Sequence, residues 1–164
     1  MKGIGWLWMA MAVSGCGGSS NGGTAGSVTS GGGTDDAAKF VGAWAYAAGA
    51  KADVTCGTMM FPAAFDTVVE TFAESGGMLV KTDSQGCAGL KFAAAGQVAT
   101  LSSAMQSCTI PANGTSPAAT FAPASYTFTM SGDHQTLTAK VAASYTPMGQ
   151  AACSVAGTNT LTKK

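Results

Sequence analysis

Three carboxylates, Asp66, Glu70 and Glu74, recur at every fourth position of one stretch of the chain. That spacing brings side chains to one face of a helix and, being even, also to one face of a strand. Two carboxylates held about 5 Å or about 6.5–9.5 Å apart can cleave glycosidic bonds. Nothing else in the chain suggests a sugar cleft, so the expectation is a solvated acidic edge, which also discourages strands from pairing edge to edge. His134, the single histidine, stands beside Asp133 in a predicted hairpin turn. Neighbouring residues in a strand or turn point apart, so the two make a poor acid–base dyad and His134 is expected to be a solvated turn residue. Cys56, Cys87, Cys108 and Cys153 are separated by 31, 21 and 45 positions. Structural zinc uses close pairs such as Cys-x2-Cys, and a redox dithiol uses Cys-x-x-Cys; the sequence has neither. A phosphate-binding loop is also missing. No catalytic residue, metal site or cofactor is therefore expected.

Charge narrows the partners further. The chain carries eight lysines, eight acidic residues and no arginine, for a formal net charge of zero. Nucleic-acid binding calls for a basic patch that releases counterions, and none is present. Bidentate guanidinium recognition of carboxylate or phosphate is excluded, and so is a polybasic hold on anionic lipid headgroups.

The N-terminus supplies a different chemistry. Lys2 precedes an apolar run from Gly3 to Val13 that contains Trp6, Leu7, Trp8, Met9 and Met11. Such a run is too short for a bilayer, which takes about 20 residues of helix, and fits the core of an export signal. It ends in Val13-Ser14-Gly15-Cys16, which resembles the lipobox of bacterial lipoproteins. The resemblance implies removal of residues 1–15 and lipidation of Cys16 as the new N-terminus. A rival cleavage site at Ala10-Met11-Ala12 would leave Cys16 as an unpaired thiol. Lipidation instead leaves an even set of four cysteines, which favours the lipobox. Gly17, where many inner-membrane lipoproteins carry aspartate, points to the outer membrane. Residues 17–36 are dominated by Gly, Ser and Thr and bury too little to offset ordering entropy. They are expected to form a disordered tether with a mean span of about 25 Å. Asn113-Gly114-Thr115 matches a glycosylation sequon, which is coincidental in a bacterial lipoprotein.

Residues 37–164 then make one domain of ordinary size, and its patterning is mostly β. Tyr126, Phe128 and Met130 alternate with polar residues, as do Leu137, Ala139, Val141, Ala143 and Tyr145 after a turn at 131–135. Period two on both sides of a glycine-containing turn predicts an antiparallel hairpin. A second hairpin joins 90–94 to 98–101, a last strand runs through Cys153 to Leu161, and Ala52 to Cys56 follows an aromatic first strand. Phe65, Val68, Val69 and Phe72 have helical spacing, with Pro62 at a plausible start and Gly76-Gly77 at a plausible stop. The β-branched residues Thr67, Val68, Val69 and Thr71 favour instead a strand over about 66–73, leading through a turn into Met78 to Thr82. Short strands with regular turns imply a barrel or, as the alternative, a β-sandwich.

Gly42-Ala43-Trp44, within Phe40 to Tyr46, resembles the Gly-x-Trp signature on the first strand of lipocalins and other calycins. Cys87-x-x-Leu90-x-Phe92, Ala99-Thr100-Leu101 and Gln106-Ser107-Cys108 resemble small lipoproteins of myxobacteria that share this order of leader, linker and four cysteines. The resemblance implies a single antiparallel, up-and-down, lipocalin-like β-barrel, with Trp44 plugging one end. Of the three pairings open to four cysteines, we favour Cys87–Cys108, across the ends of one hairpin, and Cys56–Cys153. The latter joins an early strand to the last, which become neighbours when a barrel closes. Trp44, Phe92, Tyr126, Phe128, Met130 and Tyr145 are the candidate lining of a ligand cavity. The expected role is that of an exported, lipid-anchored, non-enzymatic envelope protein with a structural or protein- and polymer-binding role. The alternatives are a carrier of a small apolar molecule and, behind it, an envelope glycan hydrolase.

Overall fold

The computed structural model describes residues 34–65, 68–82, 87–103, 105–112 and 117–164. The leader, Cys16, the tether up to residue 33, Asp66 and the Asn113 sequon lie outside the described residues. A short helix, α1 (Thr34–Ala38), is followed by eleven strands: β1 (Gly42–Tyr46), β2 (Lys51–Cys56), β3 (Met59–Ala64), β4 (Val69–Ser75), β5 (Met78–Lys81), β6 (Lys91–Ala95), β7 (Val98–Leu101), β8 (Cys108–Ile110), β9 (Ala119–Met130), β10 (Thr136–Pro147) and β11 (Cys153–Lys163). The ambiguous stretch resolves as strand, and the Pro62 expected at a helix start lies within β3. A ring contributes no N–H to a ladder, and β3 accommodates it as an edge strand paired with β2 alone among the described residues.

Eight strands close into one antiparallel barrel. The sheet order is β1-β4-β5-β6-β7-β9-β10-β11, and β11 returns to β1 with Trp44 opposite Lys163 and Tyr46 opposite Leu161. The barrel strands therefore follow one another in chain order, and closure sets the sandwich alternative aside. Three strands are much longer than the rest. β9, β10 and β11 run past the barrel, and their extensions are flanked by β8 on one side and by the β2–β3 hairpin on the other. β1 and β2 thus lie end to end along β11, as β7 and β8 do along β9.

Two local devices make the change from barrel to open sheet. The first is a register shift between β9 and β10 at Ala142/Ala143, where Ala142 pairs with Ser125 and Ala143 with Pro123. One extra residue flips the inward face. Ala119 and Pro123 are buried before the shift, Tyr126, Phe128 and Met130 after it. The second is the bend between β1 and β2, where Asn159 of β11 stands in for a ladder partner. Its side-chain amide donates to Lys51 O at 3.0 Å, and its carbonyl accepts from Lys51 N at 2.9 Å. Gly157 beside it leaves room for the bend, since a Cβ there would stand 2.9 Å from the Cβ of Ala52.

Below the bend the barrel is solid. Phe72, Phe92 and Phe128 pack edge to face with centroids 5.0–6.1 Å apart, the geometry that ring quadrupoles favour. Leu79, Leu90, Met130, Leu137 and Leu161 fill the remaining space. Trp44 is fully buried, and its indole N–H donates to Phe40 O at 2.8 Å. The chain has no arginine to stack on this ring, and Lys163 of β11 places its ammonium 5.5 Å from the ring centroid instead. Thr34, Asp35 and Asp36, the last residues of the expected tether, belong to α1. Asp36 fastens that helix by accepting from Lys39 Nζ at 2.6 Å and from Gly96 N, in the β6–β7 turn, at 2.8 Å. The Lys39 contact and then the Gly96 amide hold its carboxyl below the usual range.

Both expected disulfides form. Cys56–Cys153 links β2 to β11 with Cα atoms 4.3 Å apart, and Cys87–Cys108 ties the segment before β6 to β8. The first continues the β2–β11 ladder by one residue beyond Thr55 and Ser154.

Candidate functional site

Strand alternation sends Glu70 and Phe72 of β4 inward, together with Leu79 and Lys81 of β5. Phe72 lies directly opposite Lys81, so Glu70 is its diagonal neighbour on the same face. The two charged side chains meet inside the barrel, Lys81 Nζ 2.5 Å from Glu70 Oε2, with only 8% and 5% of their side chains exposed. Two tyrosines converge on the other carboxylate oxygen. Tyr46 Oη of β1 donates to Glu70 Oε1 at 3.2 Å, and Tyr126 Oη of β9 does so at 3.4 Å. The two hydroxyls are 3.2 Å from each other. Taking two ions out of water costs several kcal/mol each, which is recovered only with close pairing and further hydrogen bonds. This cluster provides both.

Burial, and next the nearby Glu70 charge, push the Tyr126 phenol well above its ordinary value. The fold thus favours the neutral phenol. This contribution to stability is complete below about pH 10 and is lost as pH rises beyond it.

The cluster borders a cavity of about 210 Å³ whose lining reaches Ile110, Phe121 and Val155 in the extension beyond the barrel. Its walls are mainly apolar, with Phe65, Val68, Ile110, Phe121, Ala139, Val141 and Val155 joined by Asn159, and Tyr46, Glu70, Lys81 and Tyr126 form the polar end. Phe121 and Tyr126, the inward residues on either side of the β9 register shift, both line it, so the shift places the cavity where the packed core stops. Phe65 stacks on Tyr46 with centroids 5.7 Å apart and anchors the wall on that side. The Cys87–Cys108 bridge holds the segment carrying Cys87, another lining residue, against β8.

Sequence-derived expectations fare unevenly here. The acidic edge is corrected: Glu70 is buried and ion-paired, Glu74 is exposed at the end of β4, and Asp66 lies outside the described residues. Of the six candidate lining residues only Tyr126 borders the cavity. Trp44, Phe92, Phe128 and Met130 belong to the packed core, and Tyr145 packs against the smaller cluster of the extension, around Val54, Ala143 and Val155. Inward orientation was legible from period two, but the level at which the interior stops being filled was not. Lys81 and Tyr46 were missed, although a lysine at an inward position of the strand paired with Glu70 is a readable signal. His134 is exposed in the β9–β10 turn, beside Asp133, whose carboxyl is drawn down by the Ser131 hydroxyl and the Gln135 amide. Among the described residues no group of three or more His, Cys, Asp or Glu could hold a metal ion. Compared with known proteins, the chain matches no family model, no curated protein and no solved structure.

Proposed function

We propose that this protein is an exported, lipid-anchored module of the bacterial cell envelope that binds a small molecule in its barrel mouth without chemically changing it. The observation that carries the reading is the 210 Å³ cavity, polar at one end and mainly apolar along its walls, to which Asn159 adds a polar side chain. That division is characteristic of ligand sites, in which a few polar groups orient a largely apolar guest. A dry apolar cavity of about 150 Å³ holds benzene, so the space suits a guest of on the order of eight non-hydrogen atoms. A large lipid, of the kind a hollow lipocalin-like barrel would carry, does not fit above a core filled by Phe72, Phe92 and Phe128. Support for a non-catalytic role comes from the state of Glu70, whose two oxygens are taken up by Lys81 and by the Tyr46 and Tyr126 hydroxyls.

Native mass spectrometry of the protein purified from its host should show a small adduct that disappears in Ile110→Trp, a substitution that fills the mouth from edge strand β8. A mass spectrum of the wild-type chain without any adduct, even under gentle desolvation, would count against the reading. Anchorage has its own test. Cys16→Ala should move the protein from the membrane to the soluble fraction, because two or more acyl chains supply stable anchoring that the remaining chain lacks. Retention of the variant in membranes would refute lipidation at Cys16.

One observation favours an additional role in contacting another envelope protein. β3 offers an unpaired edge among the described residues, with Met59, Met60 and Phe61 exposed by 68%, 70% and 46%. Exposed edges template pairing with a second chain, and exposed methionines adapt to varied partners.

A further inference from the structure

We propose that the cavity's guest is a short, electrically neutral amphiphile, bound with a hydroxyl, carbonyl or amide group against the Tyr46–Tyr126–Glu70–Lys81 cluster and its apolar body along Phe65, Val68, Phe121 and Val141. The inference rests on the small-molecule reading above and adds the guest's charge and orientation.

Three features carry it. The first is charge balance at the polar end, where one carboxylate and one ammonium stand 2.5 Å apart and cancel. A carboxylate or ammonium on the guest would bring an unmatched charge into a site walled mainly by Phe65, Val68, Ile110, Phe121, Val141 and Val155. Burying an unpaired charge costs far more than hydrogen bonds return. The second feature is the mixture of groups. Tyrosine hydroxyls donate and accept, a carboxylate accepts and an ammonium donates, so a neutral head that can do either finds a complementary atom. A guest without any polar atom would strip water from the cluster and replace none of its hydrogen bonds. The third is direction. The polar cluster adjoins the packed core, because the ring of Tyr126, whose hydroxyl reaches Glu70 Oε1, contacts Phe92 and Phe128 at centroid distances of 5.6 and 4.7 Å. The head therefore enters first and the tail points to the extension.

The test compares four seven-carbon probes of matched size, 1-heptanol, heptane, heptanoate and heptylammonium, titrated at pH 7 into the full soluble Cys16→Ala chain and followed by NMR shifts of the Phe65, Ile110 and Val141 signals. Heptanol should bind about five-fold more tightly than heptane, the value of one modest neutral hydrogen bond, and at least ten-fold more tightly than either ion. Tyr126→Phe should narrow the heptanol-to-heptane ratio toward one. If that variant fails to fold, Tyr46→Phe serves the same purpose. Binding of heptanoate or heptylammonium as tightly as heptanol overturns the neutral-guest inference while leaving a small-molecule site in place. Equal binding of heptanol and heptane overturns the head-first orientation. Failure of all four probes to bind overturns the small-molecule reading itself.

Discussion

Lys81→Met should lower the stability of the domain by about 3–5 kcal/mol, because it leaves the Glu70 carboxylate buried without its cation. The methionine replaces the aliphatic stem with little loss of contact, so the effect isolates the charge. Glu70 is 4% exposed, and no other cation lines the cavity among the described residues. Only the tyrosine hydroxyls would then support the anion, and neutral donors recover part of what an ion pair supplies. The double change Glu70→Gln with Lys81→Met should return most of the loss, since neutral groups of similar volume commonly replace a buried pair at little cost. Chemical denaturation of the wild-type chain and the two variants checks both statements. A Lys81→Met loss below 1 kcal/mol would mean that water reaches the pair and that the polar end is not the enclosed site described above. The same result would remove the reason for a guest without charge.

The second large effect is expected from Cys56→Ser combined with Cys153→Ser. The bridge spans 97 positions, and a loop of that order removes about 4.7 kcal/mol of unfolded-chain entropy in the loop-closure treatment. Its counterpart, Cys87–Cys108, spans 21 positions and is worth about 3.4 kcal/mol on the same scale. The losses should differ in place as well as in size. Beyond the bridge, β2 is held to β11 by a short ladder from Thr55–Ser154 to Asp53–Ala156 and by the two Asn159–Lys51 hydrogen bonds. Opening it should therefore loosen the β2–β3 hairpin first, while β1 stays paired with both β4 and β11. Hydrogen exchange should show amides of 51–64 losing protection ahead of those in 42–46. Uniform loss across both strands would show instead that barrel and extension unfold as one unit.

Much of this architecture is legible from period two, and the places where it is not share a cause. The β6–β7 and β9–β10 hairpins read clearly because apolar and polar residues alternate on both sides of a turn. The first half of β9 does not, because the register shift near Pro123 moves the inward set from 119, 121 and 123 to 126, 128 and 130. A proline at that point also looks like a break. β3 is hidden for another reason: the run Met59 to Ala64 is apolar without alternation, and it is exposed nearly throughout because it is an edge strand. In the candidate site, Glu70 carried its four-residue relation to Glu74 openly. Its partner, by contrast, is set by the register Phe72–Lys81 between neighbouring strands. A one-residue slip would have turned Lys81 outward, and no local pattern specifies that register.

The arrangement of β1 and β2 along a single partner has a consequence for how the molecule comes into being. Both are completed by β11, the last of the strands, and β1 closes the barrel only by pairing with Leu161 to Lys163. A ribosome delivers the chain from its N-terminus at about 5–20 residues per second, so roughly 5–20 s separate Tyr46 from Cys153. For that interval the opening strands exist without the neighbour they share, however fast the later hairpins form. The final strand acts as a keystone, and its arrival sets the moment at which the barrel can first exist.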